Sequence, residues 1–351
     1  MATVVRRSAL LLLVAALAFP VAAEPPRKDA PDKGGDKPAV PYRFSGPYTH
    51  DNLTIFLIHG DDQIKGKDIL TLDEALKQKK VVVHETKNVN QLAIENVSGD
   101  EVFVQAGDIV RGGQQDRTIA FDMIVSPKSG KVPLGAFCVE SGRWTQRGGE
   151  AGGHFSKSAN CLASNGLKIA ARKDGAKADN QSGVWDNVGK AQMALSKNLK
   201  TEVQAKESKS SLELTLEHKK VDEAVRAYLI KLQYSPQCEK DVIGYAVVIN
   251  GKVNNADVYA SSGLFQKLWP KLLKASAVEA VAELKKDKKF DPVTAEAVRA
   301  FLADAEKGKK TETEVNKRIQ QVERESARSC LFETCDRDQK GAAVRRSYIA
   351  K

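Results

Sequence analysis

Two short segments gather the residues of this chain that could carry chemistry. GDIVRGGQQDR (residues 107–117) contains a glycine pair, two aspartates and two arginines. CVESGRW (residues 138–144) adds a thiol, a carboxylate, another arginine and an indole. The two segments lie within forty residues of each other, so we expect a site where they meet.

The 107–117 segment combines an unusual backbone with opposite charges. Gly112 and Gly113 permit backbone conformations that are closed to other residues, and such a turn can aim several amides at an anion. Asp108 and Arg117 flank this turn. The segment is neither a phosphate loop nor a dinucleotide fingerprint, because it lacks Gly-Lys-Ser/Thr and no helix follows it. The alternative is a polar hairpin turn with surface ion pairs.

The 138–144 segment places Cys138 and Glu140 on the same face of a strand. A carboxylate beside the thiol raises the thiol pKa, which disfavours Cys138 as a nucleophile. Glu140 is a candidate general base or ligand acceptor, and Arg143 can clamp a carboxylate or phosphate in bidentate fashion. The alternative is a buried inert cysteine beside a structural ion pair. Trp144 is a candidate for the stacking wall of a pocket, and the alternative is a place in the hydrophobic core.

The sequence pattern of the first half of the chain predicts β-strands, and these strands must position the two segments. We expect a short helix at 72–79, opened by a capping box at Thr71 and Glu74. The other expected elements are strands at residues 53–59, 81–85, 91–96, 101–105, 118–125 and 131–140. The turns at 97–100 and 126–131 predict hairpins, and therefore an antiparallel sheet. Residues 146–182 are rich in Gly, Asn, Ser and Lys, which predicts a long flexible loop.

The second half changes to helical periodicity. Apolar spacing predicts helices from Trp185, from Val221 and from about Gly263, with Asn250-Gly251 as the tight turn of a hairpin between the last two. Asp291-Pro292 reads as the start of another helix, and Thr311-x-x-Glu314 as the start of a third. Strands at 330–335 and 342–350 close the chain. The fold class is therefore α+β: a single domain with an antiparallel, β-rich N-terminal half and helices of the C-terminal half packing on the sheet.

The N-terminus predicts export. Arg6 and Arg7 precede an apolar stretch at 9–19, and small residues stand before an expected cleavage near Ala23. Residues 1–23 are thus predicted to be a signal peptide, and residues 24–46, rich in Pro, Gly and charge, a flexible tether to a domain at 47–351. We expect a secreted or periplasmic protein without a transmembrane segment after cleavage.

The amino-acid composition limits the classes of partner that we expect this protein to bind. The formal charge of +10 would fall to +8 without Arg6 and Arg7, but the lysines are interleaved with acids and aromatics are few. This pattern argues against a single-strand nucleic-acid platform, and we expect no specific nucleic-acid partner. No histidine or cysteine pair has metal-ligand spacing, so neither metal nor cofactor is expected. Five cysteines leave at least one unpaired, and the separation of Cys330 and Cys335 along a strand disfavours a bridge between them.

The two segments, the hairpin VIGYAVVINGKVNNADVYAS and the following LFQKLWPKLL together resemble the ARG and Rhodanese-Phosphatase-superfamily-associated domain. The resemblance runs from about Pro47 to Lys351. It implies an uncharacterised domain and assigns no roles. The matching motif positions are Gly107, Asp108, Gly112, Gln114, Arg117, Cys138, Glu140, Gly142, Arg143 and Trp144.

Three functions remain open. The first is an exported accessory or binding domain whose pocket, formed by residues 107–117 and 138–144, takes a small or polymeric ligand with an anionic or polar group. The second is a hydrolase or transferase with Glu140 or Asp108 as general base and Arg117 or Arg143 holding charge. The third is a structural or protein-interaction module. The predicted ligand-binding residues are Asp108, Gln114, Arg117, Cys138, Glu140, Arg143 and Trp144.

Overall fold

The computed structural model describes residues 41–150, 152–172, 180–234, 236, 239 and 241–351. The predicted signal peptide lies outside these residues, and so does the predicted tether as far as residue 40. The end of that tether is not a linker, because residues 43–46 belong to the first strand, Arg43–His50. The domain therefore includes a few residues that composition alone assigned to the tether.

The largest sheet has eight strands, all antiparallel, in the order β1-β2-β12-β13-β17-β16-β15-β14. Its strands are β1 (Arg43–His50), β2 (Leu53–His59), β12 (Val242–Ile249), β13 (Lys252–Tyr259), β14 (Lys309–Glu314), β15 (Ile319–Glu325), β16 (Ser329–Asp336) and β17 (Ala342–Ala350). It joins the two ends of the domain, because β2 of the first half pairs directly with β12 of the second.

Six further strands close into a barrel in the order β10-β5-β4-β11-β7-β8, with β8 paired back to β10. These strands are β4 (Val81–Asn88), β5 (Gln91–Asn96), β7 (Asp108–Gly112), β8 (Arg117–Ile119), β10 (Gly130–Cys138) and β11 (His154–Cys161). A small sheet beside the barrel contains β3 (Leu70–Thr71), β6 (Val102–Val104) and β9 (Met123–Val125). Its β3–β6 pair is parallel, unlike the other pairs.

Seven helices are described, and most lie in the second half of the chain. They are α1 (Leu72–Lys77), α2 (Asn165–Ala170), α3 (Gln181–Leu199), α4 (Leu212–Leu216), α5 (Lys219–Leu232), α6 (Ser262–Glu283) and α7 (Ala295–Glu306). The α+β class and the segregation of helices towards the C-terminal half are confirmed. None of the described helices is both long and apolar enough to cross a membrane.

The central strands of the large sheet, such as β2 and β12, are buried on both faces, which their sequence pattern explains. Successive side chains of a strand point to opposite faces, so Ile55 and Leu57 enter the main core while Phe56 and Ile58 enter a second core. Helix α6 packs on the first face, and helix α7 packs on the second through residues such as Leu302. A strand that is apolar on both faces reads as a continuous run, as LTIFLIH does.

The Asn250-Gly251 hairpin is confirmed. Both residues have positive φ, 51° and 71°, as a type I′ turn requires. The pairing of Ile249 with Lys252 directly flanks the turn. The capping box is present as well, since the Thr71 hydroxyl accepts from the Glu74 amide and the Glu74 carboxylate accepts from the Thr71 amide.

Two of the predicted helix starts are wrong. Helix α7 begins after Thr294, whose side chain accepts from the amide of Ala297, rather than at Asp291-Pro292. Thr311 and Glu314 open no helix, because they lie in β14, paired antiparallel with β15. Pairing with a neighbouring strand outweighs a local capping pattern when the segment is also compatible with an extended backbone.

Of the two predicted hairpins of the first half, the one around 97–100 is wrong as a pairing. The one around 126–131 is correct only at its far end, where Thr118 and Ile119 pair with Phe137 and Ala136 of β10. The turn at 97–100 connects β5 of the barrel to β6 of the small sheet, and the turn at 126–131 connects β9 of the small sheet to β10 of the barrel. Each turn thus carries the chain between two sheets, which sequence spacing cannot distinguish from a hairpin. The segment 146–182, predicted as one long loop, contains strand β11 and helix α2.

Candidate functional site

The two chemistry-bearing segments meet at one end of the barrel. Arg117 of β8 pairs with Cys138 of β10 on one side and with Val110 of β7 on the other. The turn between β7 and β8 and the chain that follows β10 therefore emerge beside each other. Strand pairing rather than a direct hairpin brings them together.

Arg117 is fully buried at this meeting point, although it is a charged residue. Its Nη1 donates to the Cys138 thiol. Its Nε and Nη2 have no hydrogen-bond partner among the described residues, and the closest carboxylate contact of Nη2, to Glu85 Oε2, is 3.8 Å long. That separation is too long for a hydrogen bond. The guanidinium thus has two unused donors in a dry environment.

An aromatic side chain and a second unpartnered polar group accompany Arg117. The Trp144 ring centre is 5.9 Å from the Arg117 guanidinium carbon, and Trp144 is 46% exposed. Gln115 is fully buried, and neither its amide nitrogen nor its amide oxygen has a described partner. Gln114 lies nearer the surface, and its backbone amide donates to Glu85. We call Glu85, Gln115, Arg117, Cys138 and Trp144 the barrel-end cluster.

Glu140 and Arg143 are already paired with each other. Arg143 Nε and Nη2 donate to the two Glu140 oxygens over 2.8 and 2.7 Å, which is a bidentate pair. Arg147 joins this pair: its Nη2 is 3.3 Å from Glu140 and donates to Asp116 over 2.7 Å. The indole of Trp185 donates to the Glu140 backbone carbonyl. Arg143 is therefore occupied and does not present an open clamp.

Burial and these ion pairs together shift the pKa values of Glu140 and Asp116 in opposite directions. Burial raises the pKa of Glu140, but hydrogen bonds from Arg143 and Ser208 and the charges of Arg143 and Arg147 outweigh burial, and the pKa is lowered. For Asp116, burial dominates over Arg147 and the pKa is raised. A carboxylate with a lowered pKa is a weak general base. Glu140 is better suited to holding arginines.

The Cys138 thiol is not activated. Burial raises its pKa to about 11, and the positive charge of Arg117 offsets this only in part. The Gln181 side chain receives a hydrogen bond from the Cys138 amide and donates one to the Cys138 carbonyl, both over 2.8 Å. Cys138 is a free thiol, as are Cys161 and Cys335. The absence of a Cys330–Cys335 bridge agrees with their spacing, and Cys238 lies outside the described residues.

Asp108 lies apart from the other predicted site residues. It starts β7, pairs with Cys161 of β11 and is 3.2 Å from the Lys271 ammonium of α6. Lys271 also contacts Asp73 over 2.7 Å. Burial raises the pKa of Asp108, and the charge of Lys271 offsets part of this. Asp108 thus joins the barrel to α6 and cannot share a substrate-sized site with Glu140 through its present contacts.

Sequence reasoning missed four residues that the structure brings to these clusters: Glu85, Gln115, Arg147 and Lys271. Gln115 stood within the 107–117 segment, but only Asp108, Gln114 and Arg117 of that segment were predicted as ligand-binding residues. Arg147 follows the 138–144 segment by three residues, so its charge was a usable signal. Glu85 and Lys271 are distant in sequence, and no local pattern could have placed them here.

A serine–histidine–aspartate contact exists elsewhere in the domain. Ser45 Oγ is 2.8 Å from His59 Nε2, and His59 Nδ1 is 3.0 Å from Asp241. However, the Glu239 carboxylate is 3.2 Å from the same Nε2 and accepts a hydrogen bond from Ser45. A nucleophilic serine needs that nitrogen as a free base. The contact is therefore a hydrogen-bonded acidic cluster around His59.

No group of three or more His, Cys, Asp or Glu side chains that could hold a metal ion occurs among the residues that the structure describes.

The profile of one protein family, the ARG and Rhodanese-Phosphatase-superfamily-associated Protein domain, matches residues 41–347. The chain belongs to this family. Comparisons with curated proteins and with solved structures find no match. Residues of both segments thus lie inside the family domain, together with all six barrel strands.

Proposed function

We propose that this domain is an exported accessory module that binds a ligand through an anionic group at the barrel-end cluster. The observation that carries the proposal is Arg117, a fully buried guanidinium with two donors that no described residue satisfies. A buried arginine of this kind is the preferred side chain for carboxylate and phosphate recognition, since two of its donors can bind such a group in parallel.

The energetics favour an occupant for these donors. A buried donor without a partner costs about 1–3 kcal/mol, and more when it is charged. Glu85 lies too far from Nη2 to satisfy it, while Gln115 contributes an amide with two unused polar atoms. An oxyanion that accepts from Arg117 would relieve the cost of its unsatisfied donors.

Trp144 supplies a suitable outer wall. Its ring packs near the Arg117 guanidinium and is otherwise half exposed. A partly exposed indole beside a buried cation can cover the apolar part of a ligand whose charged end lies beneath. The ligand class that fits is therefore a small anion, or the anionic end of a larger molecule, rather than an apolar compound.

The other two functions receive unequal support. A hydrolase or transferase would need a free general base beside Arg117. Glu140 is paired with Arg143, and Asp108 is paired with Lys271, so neither carboxylate supplies one. The structural reading is favoured by a different observation, the mutual pairing of Glu140, Arg143, Arg147 and Asp116. That network accounts for the chain after β10 but leaves Arg117 unexplained.

The test is a thermal-shift screen of the purified protein with phosphate, sulfate and a series of carboxylates. A ligand that binds the native state raises apparent stability. We expect at least one anion to raise the melting temperature of the natural protein and none to do so in Arg117→Met. The exposed Arg226 provides the matched control, and Arg226→Met should keep the shift.

The stability of Arg117→Met in the absence of anions separates binding from a structural role. Removing Arg117 alone leaves the buried Glu85 carboxylate, 3.8 Å away, without this charge, so the comparison uses Arg117→Met combined with Glu85→Gln. Replacing both partners of a buried pair is often neutral, and we expect no loss of stability in this double variant. A loss of about 3 kcal/mol together with no anion effect in the natural protein would contradict the proposal and support a structural arginine.

A further inference from the structure

A cavity lies away from the barrel end, between helices α2, α3, α4 and α6 and the β12–β13 hairpin. Its volume is about 590 Å³, within the range of about 300–1,000 Å³ typical of small-molecule sites. The floor is apolar and buried, formed by Leu195, Leu212, Leu216 and Val278. Helices α2, α3, α4 and α6 and the β12–β13 hairpin all contribute walls, so the cavity is a product of the tertiary fold.

The mouth of this cavity is predominantly basic. Lys190, Lys252 and Lys285 line it and are exposed. Lys190 and Lys252 make no ion pair among the described residues, and Glu283 beside Lys285 is the acidic group at the mouth. The accessible charge is thus positive, while the interior offers apolar surface.

The buried carboxyl of the wall does not oppose an anion. Glu279 Oε1 accepts from the Asn165 backbone amide over 2.9 Å and from the Asn254 side chain over 3.4 Å. Its Oε2 faces Lys168 at 3.9 Å. Burial raises the pKa of Glu279, and the charge of Lys168 offsets part of this. Glu279 therefore joins α6 to α2 and β13 and leaves the lysines to determine the charge of the site.

We propose that this cavity binds one molecule of an amphipathic acid, with its hydrocarbon chain against the floor and its carboxylate or phosphate head at Lys190 and Lys252. The combination of an apolar interior with unpaired lysines at the mouth matches such a molecule and mismatches both a hydrophilic anion and a cationic amphiphile. The site does not include Arg117 or any other member of the barrel-end cluster.

Calorimetric titration of the full-length protein with octanoate, decanoate and dodecanoate, below their micellar concentrations, tests the proposal. Burial of each added methylene should strengthen binding about fourfold until the cavity is filled. Decyltrimethylammonium, with the same chain as decanoate and the opposite charge, should bind at least about tenfold more weakly. Equal binding of the two head groups, or no dependence on chain length, would overturn the proposal.

Variants locate the site. Ala194→Phe fills the cavity and should weaken decanoate at least about tenfold, whereas Met193→Phe, at an exposed neighbour on the same helix, should not. Lys190→Glu with Lys252→Glu should weaken decanoate similarly, against Lys231→Glu on α5 as control. Arg117→Met should leave decanoate binding unchanged, which keeps this test separate from the anion screen. Binding only to anionic vesicles, or unchanged affinity in Ala194→Phe, would contradict the inference.

Discussion

Individual charged residues divide into those that are satisfied and those that are not. Glu140 accepts two hydrogen bonds from Arg143 and faces Arg147, so the charges on this side of the barrel end are compensated. Arg117 pairs with Cys138, two residues before Glu140, and two of its guanidinium nitrogens have no hydrogen-bond partner among the described residues. The paired charges of Glu140, Arg143 and Arg147 stabilise the fold, whereas the unsatisfied donors of Arg117 can bind a ligand.

Glu140→Gln should lower stability by about 3 kcal/mol at neutral pH, since removing one partner of a buried ion pair strands the other. The pKa of Glu140 is lowered in the folded protein from its ordinary 4.5. Its contribution is therefore fully present above that value and is lost as pH falls through the folded-state pKa.

The difference between the natural protein and Glu140→Gln should accordingly shrink in acid, measured by denaturant unfolding between about pH 7 and pH 3. Glu223→Gln, at an exposed helical position, should change stability by less than about 0.5 kcal/mol. A difference that stays constant or grows as pH falls would contradict the role given to Glu140.

At the scale of elements, the β7–β8 turn depends on a glycine that no other residue can replace. Gly113 has φ of 56°, and a Cβ there would lie 2.5 Å from both Glu85 Oε2 and Phe155 Cζ. Phe155 belongs to β11, so the turn packs against the neighbouring barrel strand. The close approach leaves no room for a side chain at residue 113 between Glu85 and Phe155.

Gly113→Ala should therefore destabilise the domain by more than 2 kcal/mol, combining about 1–2 kcal/mol of backbone strain with steric displacement of Phe155. Gly142 offers the matched control, because its φ is 81° and no heavy atom lies within 4 Å of a Cβ there. Gly142→Ala should cost only the backbone term. Equal losses of stability in the two variants, measured by chemical unfolding, would show that the contacts with Glu85 and Phe155 add nothing to the cost of a side chain at residue 113.

Sequence reasoning at this scale succeeded for elements with a strong local signal. The strand Leu53–His59, the Asn250-Gly251 hairpin and the helices α3, α5 and α6 follow from periodicity and turn chemistry. The same capping pattern gave one correct helix at Thr71 and one wrong helix at Thr311. A cap is a local preference, and the pairing of β14 with β15 decided the second case.

At the scale of the whole molecule, the export prediction concerns the part of the chain before the described domain. Full-length protein made in a host with a general secretion pathway should be recovered outside the cytoplasm with Glu24 as its first residue. N-terminal sequencing and intact mass measure this. Leu12→Arg, which interrupts the apolar stretch, should abolish export, while Ala30→Arg in the tether should not. Recovery of uncleaved protein in the cytoplasm would contradict the prediction.

The sequence by itself determined the α+β class, the positions of the strongly periodic elements and the two segments in which charged and aromatic residues concentrate. These depend on nearest neighbours along the chain, where side-chain period and turn conformation act directly. Only the tertiary structure decided that the first-half turns connect different sheets and that Asp108 pairs with Lys271 rather than joining Glu140. It also decided that Arg143 is held by Glu140 while Nε and Nη2 of Arg117 keep no hydrogen-bond partner among the described residues. Those outcomes depend on which distant groups burial brings into contact, and a residue's need for a partner becomes visible only when its surroundings are known.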